Sequence, residues 1–218
     1  VKESSRVNNF AHVNYKKGEE ARIGKLLCIN GAGIQYRWLL NNLAVSSYEE
    51  MNNLASEIPV GADGVCMIPF GNGAERMLNS KEIGTRLVNI NLINHTKAHI
   101  CRAALEGIAF SFVYGMEIMK SDGIEVNVMR AGNDNLFRSE IFSNTVATLI
   151  GHEIEIYNTT GAIGAARASG LHEGDFETFG KYITDNDHVM TYMPFKDKQP
   201  YLEAYQLWKN ELELIINK

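Results

Sequence analysis

Three glycine-bearing junctions carry residue types suited to holding a phosphorylated ligand. The fullest runs from Val128 to Asn144, VMRAGNDNLFRSEIFSN. An apolar run ends at Arg130, Ala131-Gly132-Asn133-Asp134-Asn135 breaks the pattern, and an amphipathic run follows at once. Gly132 can take a positive φ and let backbone N–H groups approach a phosphate, and a helix starting near Asn135 would aim its positive end at the same point. Asn133 and Asn135 add neutral donors that suit phosphate, ribose or adenine, whereas Asp134 is expected to face solvent. An N-capped turn that holds no ligand explains the same residues on local grounds.

The second junction, Gly31-Ala-Gly33-Ile-Gln-Tyr36, resembles the opening of a dinucleotide fingerprint. Tyr36 stands where that fingerprint needs a small residue for close helix–strand packing, so a tight turn is favoured over NAD binding. In the third, Thr159-Thr160-Gly161-Ala162-Ile163-Gly164-Ala165-Ala166, small side chains let a helix press closely on a sheet or on another helix. Tight packing is expected there, and such a helix would also brace the Gly132 loop. His95 and His99 have a zinc-compatible spacing, but no nearby residue completes a site, so no metal ligand is expected. Glu75-Arg76 follows a Gly-rich loop and could contact a ligand, though an exposed ion pair is favoured, and Glu106 reads as a satisfied buried carboxylate. No Ser-His-Asp or Cys-His grouping can be assembled, and no catalytic residue is assigned.

Composition narrows the classes further. The 218 residues are 45% hydrophobic, ample for a buried core. With a net charge of −5 and its 21 Lys and Arg scattered, the chain offers no basic face to nucleic acid. Cys28, Cys66 and Cys101 are far apart, lack any CxxC spacing and sit in apolar settings typical of small buried thiols, as expected in a reducing cytoplasm. No run approaches the roughly 18 apolar residues of a membrane span, so no membrane partner is expected. The opening Val1-Lys-Glu-Ser-Ser5 lacks an initiator Met, as expected of a piece of a longer protein.

The elements that must position these junctions follow from periodicity. Lys25–Asn30 reads as a strand, Ile34–Leu43 as a helix, and Ser47 with Glu50 as a capping box opening a helix to Ile58. Val65–Ile68 is a buried strand leading into the loop Pro69–Gly73. The longest helix runs from Thr96 to Lys120, with Ile100, Ala104, Ile108 and Phe112 at four-residue spacing and Gly123 as its C-cap. Ile124, Val126 and Val128 alternate with Glu125 and Asn127 as in a strand. A helix from Leu136 to Gly151, a strand Ile154–Tyr157 and a small-residue helix Gly161–Leu171 complete an α/β layout. Gly174–Asp187 reads as a surface excursion before a closing helix, Pro200–Ile216.

The segments GVCMIPFGNGAER, HTKAHICRAALEGIAFSF, RAGNDNLFRSEIFSNTVATLIGHEI and TTGAIGAARASG occur in an order that resembles the C-terminal half of the FGGY carbohydrate kinases, with the xylulokinase branch nearest. The strongest segment is His95 to Phe112. The resemblance covers almost the whole chain. It implies that residues 1–218 form a ribonuclease H-like, actin-type ATPase domain with a mixed sheet flanked by helices. Such a domain is the second of two that close around ATP, Mg²⁺ and a sugar. It assigns Ala131, Gly132 and Asn133 to the phosphates and ribose and places Asn135 near the base. It also implies that the catalytic aspartate, the sugar pocket and the first phosphate turn belong to an N-terminal domain absent from this chain, with the second phosphate turn just upstream of Val1. This chain alone would then be inactive. The sugar implied is D-xylulose, with ribulose, gluconate and glycerol kinases or a catalytically silent binding module as alternatives, and homodimers are expected. The sequence departs from the family pattern at Arg130-Ala131, at Asn144 and at Met77-Leu78.

Overall fold

The computed structural model describes residues 4–12, 18, 23–172 and 175–217. Its organising element is α3 (Lys97–Ser121), 25 residues long. Thr96 caps α3 by accepting from the Ala98 N–H, and the His99 ring reaches back to the Thr96 N–H at 3.1 Å, completing a capping box. Small and apolar side chains predominate on its faces, so most of it is buried and it divides the interior in two.

On one side stand α1 (Ala32–Asn42), α2 (Tyr48–Ser56), α4 (Glu140–Ile150) and β6 (Ile154–Tyr157). On the other, β3 (Cys66–Phe70) and α7 (Gln199–Ile216) enclose Phe70, Phe110, Tyr205 and Trp208. Two contacts fix this second half. The Trp208 indole donates to the Met67 carbonyl at 2.9 Å, and Gly107 lies so close to that same oxygen that a Cβ there would overlap it.

Among the described residues the strands form three small sheets. β1 (Asn8–Ala11) pairs antiparallel with β2 (Ile23–Leu26), and β3 with β4 (Gly84–Val88). β5 (Met129–Gly132) runs parallel to β6, which pairs antiparallel with β7 (His188–Tyr192), giving the expected mixed sheet. Between β6 and β7 lie α5 (Gly161–Ala168) and α6 (Asp175–Asn186).

Several boundaries differ from the sequence expectation. The strand expected at Ile124–Val128 begins instead at Met129. Ile124 is taken by the end of α3: with Gly123 left-handed at φ 87°, the Ile124 N–H returns to the Met119 carbonyl at 3.1 Å. The strand expected over Lys25–Asn30 ends at Leu26. Ser47 caps α2 as expected, accepting from the Glu50 N–H, but the Glu50 carboxylate reaches the N–H and hydroxyl of Ser46, both at 2.7 Å, rather than Ser47. Residues 175–186 are helical, and Gly174 lies outside the described residues. The expected tight packing of the small-residue helix is overturned: no residue of α5 is buried, and nothing among the described residues comes within 4 Å of where Cβ atoms on Gly161 and Gly164 would be.

Candidate functional site

β5 delivers the glycine junction. Ala131 and Gly132 are the last two residues of the strand, paired with Ile156 and Tyr157 of β6, so they belong to the sheet rather than to a loop. Gly132 is not among the residues with positive φ. What demands glycine here is proximity, since a Cβ would overlap the Thr159 carbonyl oxygen in the turn after β6. The Asn133 N–H donates to the Tyr157 carbonyl at 2.7 Å, which carries the β5–β6 pairing one residue further. Arg130 is exposed but engaged. Its Nε donates to Glu155 at 2.8 Å across the strand pair, and its guanidinium lies over the Tyr157 ring.

Asp134 does not simply face solvent. It is half-buried, and its carboxylate accepts from the Asn135 N–H at 2.7 Å. Asn135 then takes φ 51° and opens a short 3-10 turn, Asn135–Arg138. The α-helix starts only at Glu140, capped by the Ser139 hydroxyl, so the positive end of α4 lies one turn beyond the place expected.

This turn forms one wall of a cleft of about 720 Å³. Asn135, Arg138 and Ser139 line one side, and Tyr36, Tyr48 and Asn52, from α1 and α2, line the other. Of the four residues assigned to nucleotide, Asn135 is on the cleft wall. Ala131 leans on the core, while Gly132 and Asn133 lie at the strand end behind the turn. The Tyr36 and Tyr48 rings stack at 5.3 Å and 15°. Burial pushes the Tyr36 phenol well above its ordinary pKa, so it stays protonated.

A second cavity, about 260 Å³, opens on the other side of α1, between Ile34, Gln35 and Trp38 and the β3–β4 hairpin at Gly71 and Thr85. Gln35 is 5% exposed, and neither atom of its amide has a hydrogen-bond partner among the described residues. A buried amide left so is destabilising unless something fills its needs. Gln35 was passed over in the sequence. Its signal was a polar residue on a helix face otherwise presented by Ile34 and Trp38.

The turn before α1 is held from below. Glu75, fully buried, accepts from the N–H of Asn30 at 3.1 Å and of Gly31 at 2.9 Å, and burial pushes its carboxyl above the ordinary range. The expected exposed ion pair Glu75-Arg76 is therefore wrong. The same carboxylate occupies the backbone donors that a dinucleotide pyrophosphate would need at Gly31, which argues against the NAD reading. Glu106 is the buried, satisfied carboxylate expected, bonded to Arg102 at 2.6 Å and to the Gly61 N–H at 3.1 Å. The His95 and His99 Nδ1 atoms accept from backbone N–H groups at Asn91 and Thr96, so these rings serve turns. Among the described residues no three His, Cys, Asp or Glu side chains gather to hold a metal ion.

The helix-flanked mixed sheet, with a nucleotide-sized cleft beyond the carboxyl end of β5, defines an α/β domain of the actin-type ATPase architecture found in sugar kinases. Residues 19–171 match the model for the FGGY family of carbohydrate kinases, C-terminal domain, and the chain belongs to that family. A xylulose kinase of Haemophilus influenzae is 27% identical over 195 residues, which cover 86% of this chain and 38% of that protein. The crystal structure of a xylulose kinase from Rhodospirillum rubrum superposes with a TM-score of 0.73 at 20% identity, over 100% of this chain and 44% of that one. Plasmodium falciparum glycerol kinase, crystallised with ADP, gives 0.77 at 19% identity, over 96% and 42%. The chain thus spans less than half the length of each of these relatives.

Proposed function

We propose that this chain is the nucleotide-binding, C-terminal domain of an ATP-dependent carbohydrate kinase whose substrate is D-xylulose. The observation that carries the reading is the cleft between the Asn135 turn and the Tyr36–Tyr48 wall. The cleft can take a base and ribose between aromatic and amide side chains. Those residues fit ATP. When bound, ATP supplies a phosphoryl group for transfer to a sugar hydroxyl. This chain's part is positioning: Asn135 and the Tyr36–Tyr48 wall orient the base, and Glu75 holds the start of α1 in place beside it. Mg²⁺ finds no cluster of His, Cys, Asp or Glu among the described residues, so no step is assigned to a metal held by these side chains.

The catalytic base and sugar pocket belong, on this reading, to an N-terminal domain. The uncovered face of α5, with Ile163 exposed, is the surface we assign to it. Alone, the chain should self-associate through that face. Sedimentation of the wild type should show concentration-dependent association that Ile163→Glu reduces; a strictly monomeric wild type would argue against the assignment. Among the described residues no helix is long and apolar enough to cross a membrane. The cysteines are unbonded; Cys28 is exposed, against the buried setting expected of it, while burial pushes Cys66 up to about 12 and Cys101 to about 11. We place the parent enzyme in the reducing cytoplasm, as a homodimer.

The deciding experiment restores the upstream coding region and measures ATP consumption against ketoses, polyols and aldonates. Strong turnover on D-xylulose is expected, with none from the 218-residue chain alone. Gly132→Val, which forces a side chain into the Thr159 carbonyl, should abolish it. Turnover on another sugar would reassign the substrate. No turnover by a folded protein would favour a catalytically silent binding module, a reading that the engagement of Arg130 with Glu155 already invites.

A further inference from the structure

We propose that Asn52 is a positioning residue for the base of the bound nucleotide, a latch that sets the spacing between the two walls of the cleft. The inference rests on the nucleotide reading above and adds a role that neither the glycine junction nor Gln35 provides. Asn52 is on α2, and besides a bond within that helix its amide reaches two other elements. Nδ2 donates to the Tyr36 hydroxyl of α1 at 3.1 Å and to the Tyr48 carbonyl at 2.8 Å, and Oδ1 accepts from the Ser139 hydroxyl at 2.5 Å.

Ser139 is the hinge point on the far wall. It is 5% exposed and is the N-cap of α4, its hydroxyl also accepting from the Phe142 N–H at 3.4 Å. The turn that precedes it carries Asn135, so fixing Ser139 fixes where Asn135 stands. On the near wall the latch holds Tyr36, which is buried against the core, with Tyr48 stacked upon it. Tyr48 lines the cleft and is 42% exposed, leaving aromatic surface open to a planar base. Without Asn52, Tyr36 and Ser139 lose their shared partner and the walls can part. A site competent for only part of the time binds more weakly by that fraction.

The test compares the 218-residue wild type with Asn52→Ala, Ser139→Ala, Ser139→Thr and the Asn52→Ala/Ser139→Ala double variant. ATP dissociation constants are measured well below each melting midpoint, where every variant is folded and lost global stability cannot weaken binding. Loss of a hydrogen-bonded latch should weaken ATP about tenfold in Asn52→Ala and Ser139→Ala. Ser139→Thr, which keeps the hydroxyl, should bind like the wild type, and the double variant should bind little worse than either single one. ATP affinity unchanged in Asn52→Ala, even with a lowered melting point, overturns the latch and leaves the nucleotide reading standing. Additive losses in the double variant overturn it too. Failure of the folded wild type to bind ATP overturns both.

Discussion

Replacing Gly107 by alanine should destabilise this protein by about 3–5 kcal/mol, summing overpacking with damage to one buried hydrogen bond. Alanine favours a helix by up to about 1 kcal/mol over glycine, so an exposed site would show the opposite sign. Here a Cβ would overlap the Met67 carbonyl oxygen, and both sides of the contact are main chain, with no rotamer to absorb it. The Met67 carbonyl also accepts from Trp208, whose Nε1 would lie 3.5 Å from the new Cβ. Pushing α3 off β3 therefore opens the core that Trp208 closes. Total stabilities of about 5–15 kcal/mol leave little after such a loss. The urea midpoint, followed by tryptophan fluorescence and circular dichroism together, measures it, and a shift equivalent to less than about 1 kcal/mol would show that the contact gives way.

The second large effect is expected from Arg102→Met. Arg102 and Glu106 are 7% and 2% exposed, their side chains meet at 2.6 Å, and both Glu106 oxygens lie 3.1 Å from the Gly61 N–H. That carboxylate also anchors an unusual turn in which Gly61, Ala62, Asp63 and Gly64 all have positive φ. Deleting the guanidinium leaves a buried charge with one backbone donor, a loss of about 3–5 kcal/mol at neutral pH. The pH dependence separates this from a packing loss. Burial pushes the Glu106 carboxyl above its ordinary range while Arg102 and Gly61 pull it back, so the variant's carboxyl rises further. The folded variant then holds a proton that the unfolded chain has released, and its stability falls as pH rises above the ordinary glutamate value of about 4.3. Denaturant midpoints should show the deficit shrinking from pH 7.5 to pH 5. Glu106→Leu added to Arg102→Met should restore stability at pH 7.5, and a deficit independent of pH would refute the buried-charge account.

The sequence spoke most plainly where an element makes its own case. α3 and α7 were legible from spacing, the ends of α3 and α4 from Gly123 and Gly151, and β6 from a short apolar run between turns. β4 and β7 were not, because Gly84–Val88 and His188–Tyr192 are mostly exposed and become strands only through the partner each finds. The Ile124–Val128 alternation misled, since a helix cap claimed Ile124 before a sheet could. The site divided in the same way. Asn135 was legible because the break in pattern is local. Its opposite wall was not, because Tyr36 and Asn52 meet it only through the docking of α1 and α2 on α3, and the lack of a partner for the Gln35 amide among the described residues shows only in the folded chain.

The bond between Trp208 and Met67 joins residues 141 positions apart. At a synthesis rate of about 5–20 residues per second, the ribosome needs roughly 7–28 s to travel from one to the other. Within that interval, once β3 and α3 are made, the apolar surface of Phe70 and Phe110 that α7 covers still has nothing to close it. The nascent chain therefore passes through an obligatory period of exposed hydrophobic surface. Messages broken before the Trp208 codon should yield products that are held by chaperones or degraded rather than shorter, folded versions of the domain.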